Sequence, residues 1–208
     1  CRNMEAGDGR PTTYAECFEW FVAPTDLAGE NPRPDLAPDV INNSWGCPAA
    51  EMCTDPAILQ DVVQNVRDAG IVVVVSAGNS GSNFSTGCST INTPAAIYDA
   101  AFTVGSTNNA DGLANSSSRG PSPFPLTSTM KPNVVAPGVS VRSATRASTS
   151  SYGPASGTSM AGPHVAGAVA LLIATDPNLR GDVDRIEQIL SDTAVPLTLT
   201  QTCGGIGP

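Results

Sequence analysis

The chain has few basic side chains and, in particular, few imidazole and ammonium groups. Among 208 residues there is one histidine, His164, and one lysine, Lys131. Nineteen acidic residues against ten basic ones give a net charge of −9, so no basic surface is predicted and nucleic-acid binding is excluded. No apolar run is long enough to cross a bilayer, so no membrane span is predicted either.

The cysteines disfavour a zinc site and indicate an oxidising compartment. None of the six forms a Cys-x-x-Cys pair, and one histidine cannot complete a mixed Cys/His ligand set, so no metal site is predicted. The even cysteine count and scarce lysine favour a secreted or extracytoplasmic protein, the alternative being six reduced thiols in the cytosol. Six cysteines allow about 15 pairings, and proximity along the chain predicts only Cys47–Cys53.

The order of apolar patterns predicts an α/β protein of one domain. Helical patterns occur at residues 12–22, 54–70, 159–175 and 183–193, and strand patterns begin at residues 40, 71, 101 and 134. The five consecutive β-branched residues at 71–75 are typical of a strand that is buried on both faces. We therefore expect a parallel sheet in three layers, with helices on both of its faces.

Polar and glycine-rich segments follow several of these strands. They are residues 43–46, residues 76–79 and the loop before Ser159. Because ligands bind at the carboxyl ends of the strands in such sheets, we expect the three segments to meet there and form the functional site.

Residues 157–164, Gly-Thr-Ser-Met-Ala-Gly-Pro-His, bring a serine into the first turn of an apolar helix. The free N–H groups and positive dipole at a helix N-terminus favour developing negative charge, and Ser159 can add its own backbone N–H to an oxyanion hole. Asn79, after the buried strand, is the candidate second donor. The alternative is that Ser159 only caps the helix.

The complete string Gly-Thr-Ser-Met-Ala-Gly-Pro-His-Val-Ala-Gly resembles the nucleophile motif of the subtilisin-like serine peptidases (subtilases). Further segments resemble the same family in the same order: residues 40–46, 74–79, 118–121 and 131–138, with Asn133 where aspartate is more usual. The Asn-Asn-Ser-Trp-Gly and Gly-Pro-Ser-Pro forms are most similar to its bacillopeptidase F branch.

The resemblance implies a subtilisin-like fold and a set of site residues. Ser159 would be the nucleophile of a serine endopeptidase that forms an acyl-enzyme, Asn79 the oxyanion donor, and Gly78 a substrate-binding residue. The segment Ser44, Trp45 and Gly46 would bind the substrate backbone and line the primary specificity pocket, opposite Gly7 and Gly9. The chemistry would need no cofactor, while a structural calcium ion is possible.

The sequence departs from the family in its catalytic base. The family places an Asp-Thr/Ser-Gly motif and a His-Gly-Thr-like motif before the serine, and neither motif occurs here. His164 follows Ser159 by five residues on the same predicted helix, roughly 7.5 Å along its axis and about 140° around it. We therefore expect His164 to be a core residue, and Asp8, Asp39 and Asp111 to be loop carboxylates or at most calcium ligands.

The resemblance thus implies that residues 1–208 are the C-terminal part of a subtilase catalytic domain. The Asp/His segment would lie upstream, the sheet would be incomplete on its N-terminal side, and the closing C-terminal helix would come after residue 207. We expect this chain alone to be inactive. We also expect the open edge at residues 40–44 to self-associate or to bind the missing N-terminal part.

The alternatives to a serine peptidase of this family are an α/β-hydrolase and a non-catalytic peptide-binding module. An α/β-hydrolase needs Gly-x-Ser-x-Gly with a later aspartate and histidine, but Ala161 occupies the second glycine position and the only histidine follows five residues later. A non-catalytic peptide-binding module, or pseudoenzyme, stays open, although such a protein has no physical need for Ser159 and Asn79.

Overall fold

The computed structural model describes residues 1–5, 7–83, 87–122, 124, 130–198 and 203. Twelve helices and strands follow one another along this part of the chain: β1 (Met4–Glu5), β2 (Asp8–Gly9), α1 (Pro11–Val22), β3 (Val40–Asn43), α2 (Gln60–Asp68), β4 (Val72–Ser76), β5 (Phe102–Thr107), β6 (Val134–Pro137), β7 (Val141–Ala144), β8 (Tyr152–Ala155), α3 (Thr158–Thr175) and α4 (Val183–Thr193). The closing helix expected after residue 207 lies outside the described residues.

The central sheet has four parallel strands in the order β3-β4-β5-β6. Val40 pairs with Val72, Val74 with Phe102, and Val104 with Val134. Since all four strands run in the same direction, their carboxyl ends meet at one edge of the sheet, as predicted.

Helices cover both faces of this sheet. Val73 and Val75 of β4 face a core that includes residues of α1 and α2, whereas Val72 and Val74 face a second core that includes residues of α3 and α4. Because successive side chains of a strand point to opposite faces, β4 must be apolar throughout, and every one of its residues is buried. The predicted three-layer α/β architecture is confirmed.

Helix α3 is the central helix of the second layer. It has eighteen residues and is apolar enough that length and composition alone would permit a membrane span. In this fold, however, Ala161, Val165, Val169 and Ile173 pack on the sheet and belong to the second core.

Helix α2 begins later than predicted, at Gln60 rather than near residue 54. The reason is the hydroxyl of Tyr98, which donates to the carbonyl of Pro56 at 2.7 Å and accepts the N–H of Leu59 at 3.2 Å. These contacts satisfy the backbone of residues 56–59 in a turn, so the first helical bonds form further along the chain.

Two short antiparallel hairpins, β1–β2 and β7–β8, were not predicted. Their strands are mostly exposed and lack the apolar alternation that makes a strand recognisable in sequence. The β7–β8 hairpin leads directly into the turn before α3, so it flanks the start of that helix.

All six cysteines form disulfides. The predicted pair Cys47–Cys53 is confirmed, and the other two are Cys1–Cys17 and Cys88–Cys203, the latter joining residues 115 positions apart. Closing so long a loop restricts the unfolded chain more than closing the short loop at 47–53.

Candidate active site

Ser159 lies in the first turn of α3 and contacts the segment that follows β3. Its hydroxyl donates to the carbonyl of Ser44 at 3.4 Å, and the hydroxyl of Ser44 donates to the carbonyl of Ser159 at 3.0 Å. That carbonyl is free to accept because its helical partner four residues later is Pro163, which has no N–H. Pro163 thus leaves the Ser159 carbonyl available for a hydrogen bond with Ser44, which directly follows β3.

Asn79 follows β4 and reaches the same helix start. Its side-chain oxygen accepts the backbone N–H of Thr158 at 2.9 Å and the Thr158 hydroxyl at 3.3 Å. Because this oxygen faces the helix, the amide nitrogen is left as a donor and has no acceptor among the described residues. The backbone N–H of Ser159 likewise has none in this part of the chain, as is usual in a first helical turn.

Thr158 is a site residue that the sequence interpretation missed. It is buried, its hydroxyl accepts the N–H of Gly78 at 3.2 Å, and its carbonyl accepts the hydroxyl of Ser76 at 3.0 Å. The only signal in the sequence was its position directly before Ser159. Through these bonds the end of β4 sets the position of the helix start.

Small residues allow the start of α3 to lie close to Asn79 and to the end of β6. Gly157 has φ +142°, and a Cβ atom there would lie 3.2 Å from the Asn79 side-chain oxygen. Its N–H donates to the carbonyl of Gly138 at 2.7 Å, and a Cβ atom at Gly138 would lie 2.8 Å from the carbonyl oxygen of Gly157. The glycines therefore bring the end of β6 against the start of α3.

The predicted substrate-binding residues after β3 lie beside Ser159. Ser44 is exposed, whereas Trp45 and Gly46 are half-buried. The indole of Trp45 stacks on the ring of Tyr14 with centroids 4.0 Å apart and planes 4° apart. Trp45 therefore contacts α1 and also continues the segment that lies next to Ser159.

The other three glycines predicted to bind the substrate have different environments. Gly7 is exposed and has φ +97°, whereas Gly9 is buried, and a Cβ atom there would lie 2.1 Å from the hydroxyl oxygen of Tyr14. Gly78 is half-buried with φ +100°, so it supports the turn that carries Asn79. Tyr14 thus contacts both predicted substrate-binding segments.

The expectation that His164 is a core residue is wrong. The side chain is exposed, and its Nδ1 is hydrogen-bonded to the carbonyl of Met160 at 2.9 Å. The residue lies on the outward face of α3, since the inward face is taken by Ala161, Val165 and Val169. It makes no contact with Ser159.

Of the three predicted loop carboxylates, Asp8 is instead a residue of strand β2 and is exposed. Asp39 pairs with Arg180 at 2.9 Å, and Asp111 is exposed. No cluster of three or more His, Cys, Asp or Glu side chains that could bind a metal ion occurs in the part of the chain the structure describes. Structural calcium stays a prediction.

The sequence and the fold are both similar to known peptidases. A sequence model of the Subtilase family matches residues 6–205. The chain is 40% identical over 190 residues to bacillopeptidase F of Bacillus subtilis, covering 91% of this chain and 12% of that protein. It is 42% identical over 160 residues to a subtilisin of Bacillus pumilus, covering 77% of this chain and 50% of that protein.

Solved structures agree with the sequence comparison. A protease of Pseudoalteromonas arctica superposes with a TM-score of 0.75 at 28% identity, covering 99% of this chain and 58% of that one. A cold-adapted subtilisin-like serine proteinase gives a TM-score of 0.68 at 25% identity, covering 95% and 59%. The chain spans half or less of the length of both curated relatives named above. With the family match extending over residues 6–205, the chain belongs to the subtilase family.

Proposed function

We propose that this chain carries the nucleophile half of a serine endopeptidase site. The hydroxyl oxygen of Ser159 attacks the carbonyl carbon of a peptide bond, the amine leaves with a proton, and the acyl group remains on Ser159 until water hydrolyses the ester. The observation that carries this proposal is the pairing of the half-buried Ser159 with two N–H donors at the start of α3 that have no acceptor among the described residues.

The two donors are suited to the negative charge of the tetrahedral intermediate. The amide nitrogen of Asn79 is oriented by the bond that its oxygen accepts from Thr158, and the backbone N–H of Ser159 lies at the positive end of α3. Loss of one such donor costs about 10²–10³-fold in turnover, as measured in a subtilisin. Because serine and amide groups carry out the chemistry, the reaction requires no cofactor.

The substrate of this proposal is a polypeptide in extended form. Ser44 and Gly46 offer backbone groups after β3, beside Ser159, and the β1–β2 hairpin with Gly7 and Gly9 forms the opposite side. Three disulfides and the relationship to Bacillus subtilisins support a secreted or extracytoplasmic location.

The base that removes the proton from Ser159 is not supplied by residues 1–208. The only histidine is His164, whose imidazole is exposed on the outward face of α3 and bonded to Met160. We therefore propose that this chain alone hydrolyses essentially no peptide, and that a further polypeptide segment supplies the base. The same observation favours the second candidate, a non-catalytic peptide-binding module.

A serine-directed fluorophosphonate tests the inactivity of the chain. Incubated with residues 1–208, the reagent is expected to leave Ser159 unmodified, as shown by intact-mass and peptide mass spectrometry against a Ser159→Ala control. Stoichiometric labelling of Ser159 would refute the missing base. Labelling in the presence of an added subtilase segment that contains the Asp and His motifs distinguishes the two candidate functions. Recovered labelling of Ser159 would indicate a peptidase, whereas a Ser159 that stays unlabelled would indicate a pseudoenzyme.

We further propose that the free edge of β3 pairs with a strand outside residues 1–208. Among the described strands β3 has β4 as its only neighbour, so its other edge has no partner in this part of the chain. In the isolated chain a second copy takes this place, so sedimentation velocity is expected to show a dimer. Val40→Lys, which puts a charge on the edge, should reduce dimerisation, and a strictly monomeric parent chain would refute the proposal.

A further inference from the structure

Tyr14 lies between the two segments proposed to bind the substrate. It is fully buried in α1, its ring is stacked on Trp45, and its hydroxyl oxygen occupies the space that a side chain at Gly9 would need. The separation of the hairpin from the segment after β3 therefore depends on where this ring lies.

The hydroxyl of Tyr14 donates a hydrogen bond to the carboxylate of Glu51. A carboxylate is a strong acceptor, and a bond of this kind inside the protein restricts the ring more than packing alone. Consistent with this environment, burial and then the bond to Glu51 raise the pKa of Tyr14 well above its ordinary range.

Glu51 is itself anchored by the shortest disulfide loop of the chain. It ends a turn of 3₁₀ helix, Ala49–Glu51, between Cys47 and Cys53, and both cysteines are buried. Cys47 follows Trp45 by two residues. The loop therefore connects the substrate-binding segment covalently to the carboxylate that holds Tyr14.

The same connection reaches the nucleophile. Trp45 directly follows Ser44, whose carbonyl accepts the hydroxyl of Ser159. The Ser44 carbonyl and the Trp45 Cα belong to one planar peptide group, so a movement of Trp45 that displaces its Cα also displaces this acceptor. No residue of the 47–53 loop forms a hydrogen bond with Ser159 in the described part of the chain, so an effect of Glu51 on the site passes through the Tyr14–Trp45 stack or along the backbone from Cys47 to Ser44.

We propose that Glu51 is a positioning residue of the peptide-binding site, which orients the Tyr14–Trp45 stack and so sets the separation between residues 7–9 and 44–46. The inference rests on the proposed function, because it assumes that these two segments bind peptide. It adds a role for a residue that itself touches neither substrate nor Ser159.

The first experiment follows Trp45 without any peptide. The chain has two tryptophans, Trp20 and Trp45, so a Trp20→Phe parent leaves one indole to report on the stack. In this parent, Glu51→Ala is expected to weaken the near-UV circular dichroism of the indole and to increase its quenching by acrylamide. Glu51→Gln retains an oxygen acceptor for the tyrosine hydroxyl and is expected to keep both signals.

The controls separate positioning from a general loss of structure. Tyr14→Phe keeps the ring but removes the hydroxyl, so it should reproduce Glu51→Ala, with far-UV circular dichroism showing that the fold is intact. Glu19→Gln removes an exposed carboxylate of α1 and should change nothing. Unchanged indole signals in both Glu51→Ala and Tyr14→Phe would overturn the positioning role.

The second experiment measures binding of the blocked peptide acetyl-Phe-Val-Ala-Phe-amide by calorimetry. Glu51→Ala is expected to raise Kd about tenfold, the affinity equivalent of one lost charge-assisted hydrogen bond, while Glu51→Gln recovers the parent value. Equal Kd values in the parent and Glu51→Ala would overturn the link from Glu51 to the peptide site. A parent that does not bind the peptide would instead refute the proposed function, with the indole signals still deciding whether Glu51 orients Trp45.

Discussion

Lys131, the only lysine of the chain, lies three residues before β6 and is buried, with only 4% of its surface exposed. Its ammonium group donates to the carbonyl of Ala101 at 2.5 Å and to the side-chain oxygen of Asn133 at 3.1 Å. Burial lowers the pKa of Lys131 from 10.5 to about 8, a shift that Glu187 and Asp99 oppose and Arg67 reinforces.

This shift makes stability depend on pH in a defined direction. Because the folded pKa lies below the unfolded one, the unfolded chain binds the proton more tightly, and burying the charged group costs free energy at neutral pH. The cost is fully present below pH 8 and decreases as the pH rises towards 10.5. Integrated over this window, the free energy of unfolding rises by roughly 2–3 kcal/mol between pH 7 and pH 10.

Selective labelling gives a direct assay. Incorporation of ¹³Cε-lysine yields a single NMR signal, that of Lys131, and its midpoint is expected near pH 8. Urea unfolding at pH 7 and pH 10 then compares the parent with Lys131→Met, in which the rise in stability should disappear. Measurements stop at pH 10 because the pKa of Tyr98, raised by burial to about 12, makes the folded state lose stability above pH 10. A lysine midpoint at or above pH 10 would refute the reasoning.

Five further substitutions, at three places in the structure, are tested by urea unfolding. The hydroxyl of Ser106 is buried without a partner among the described residues, so Ser106→Ala should raise the free energy of unfolding by about 1 kcal/mol. Ser117→Ala removes the acceptor of the Ser106 N–H and should therefore lower the free energy of unfolding. Equal effects of the two substitutions would contradict this account. Glu187→Gln breaks an ion pair whose two side chains are 15% and 16% exposed and should cost about 3 kcal/mol. Asp184→Asn, at a carboxylate 91% exposed, should cost under about 1 kcal/mol, and a larger loss there would show that solvent does not screen the pair. Gly157→Ala forces a side chain onto φ +142° and against Asn79, so it should cost about 1–3 kcal/mol and shift the NMR signals of the Asn79 side-chain amide; a spectrum like that of the parent would refute the close approach.

Much of the fold was predictable because its local patterns are strong. The β-branched run at 71–75 allowed only a strand buried on both sides, and β4 is at the centre of the sheet. The last helix was predicted at residues 183–193 and has those bounds, since Asp182 caps it by accepting the N–H of Arg185. The predicted start of α2 was wrong because the turn at residues 56–59 depends on contacts with Tyr98, which is distant in sequence.

The candidate site was predictable in part. Ser44, Asn79 and Ser159 follow elements whose order was clear, and parallel strands necessarily bring their carboxyl ends together. The burial of Gly9 beneath Tyr14 and the role of Thr158 depend on contacts between distant segments. The exposed position of His164 depends on which face of α3 packs on the sheet, and an apolar helix does not show this in its sequence pattern.

By itself, the sequence determined the parallel α/β arrangement, the serine at a helix start, the nearby disulfide Cys47–Cys53 and the position of the single histidine five residues after that serine, because these depend on residue type and local spacing. Only the tertiary structure decided the pairs Cys1–Cys17 and Cys88–Cys203, the orientation of Asn79 by Thr158, and the chain of contacts from Glu51 through Tyr14 to Trp45. The physical reason is that these contacts join residues whose separation in space is set by the packing of helices on the sheet, and no local pattern encodes that distance.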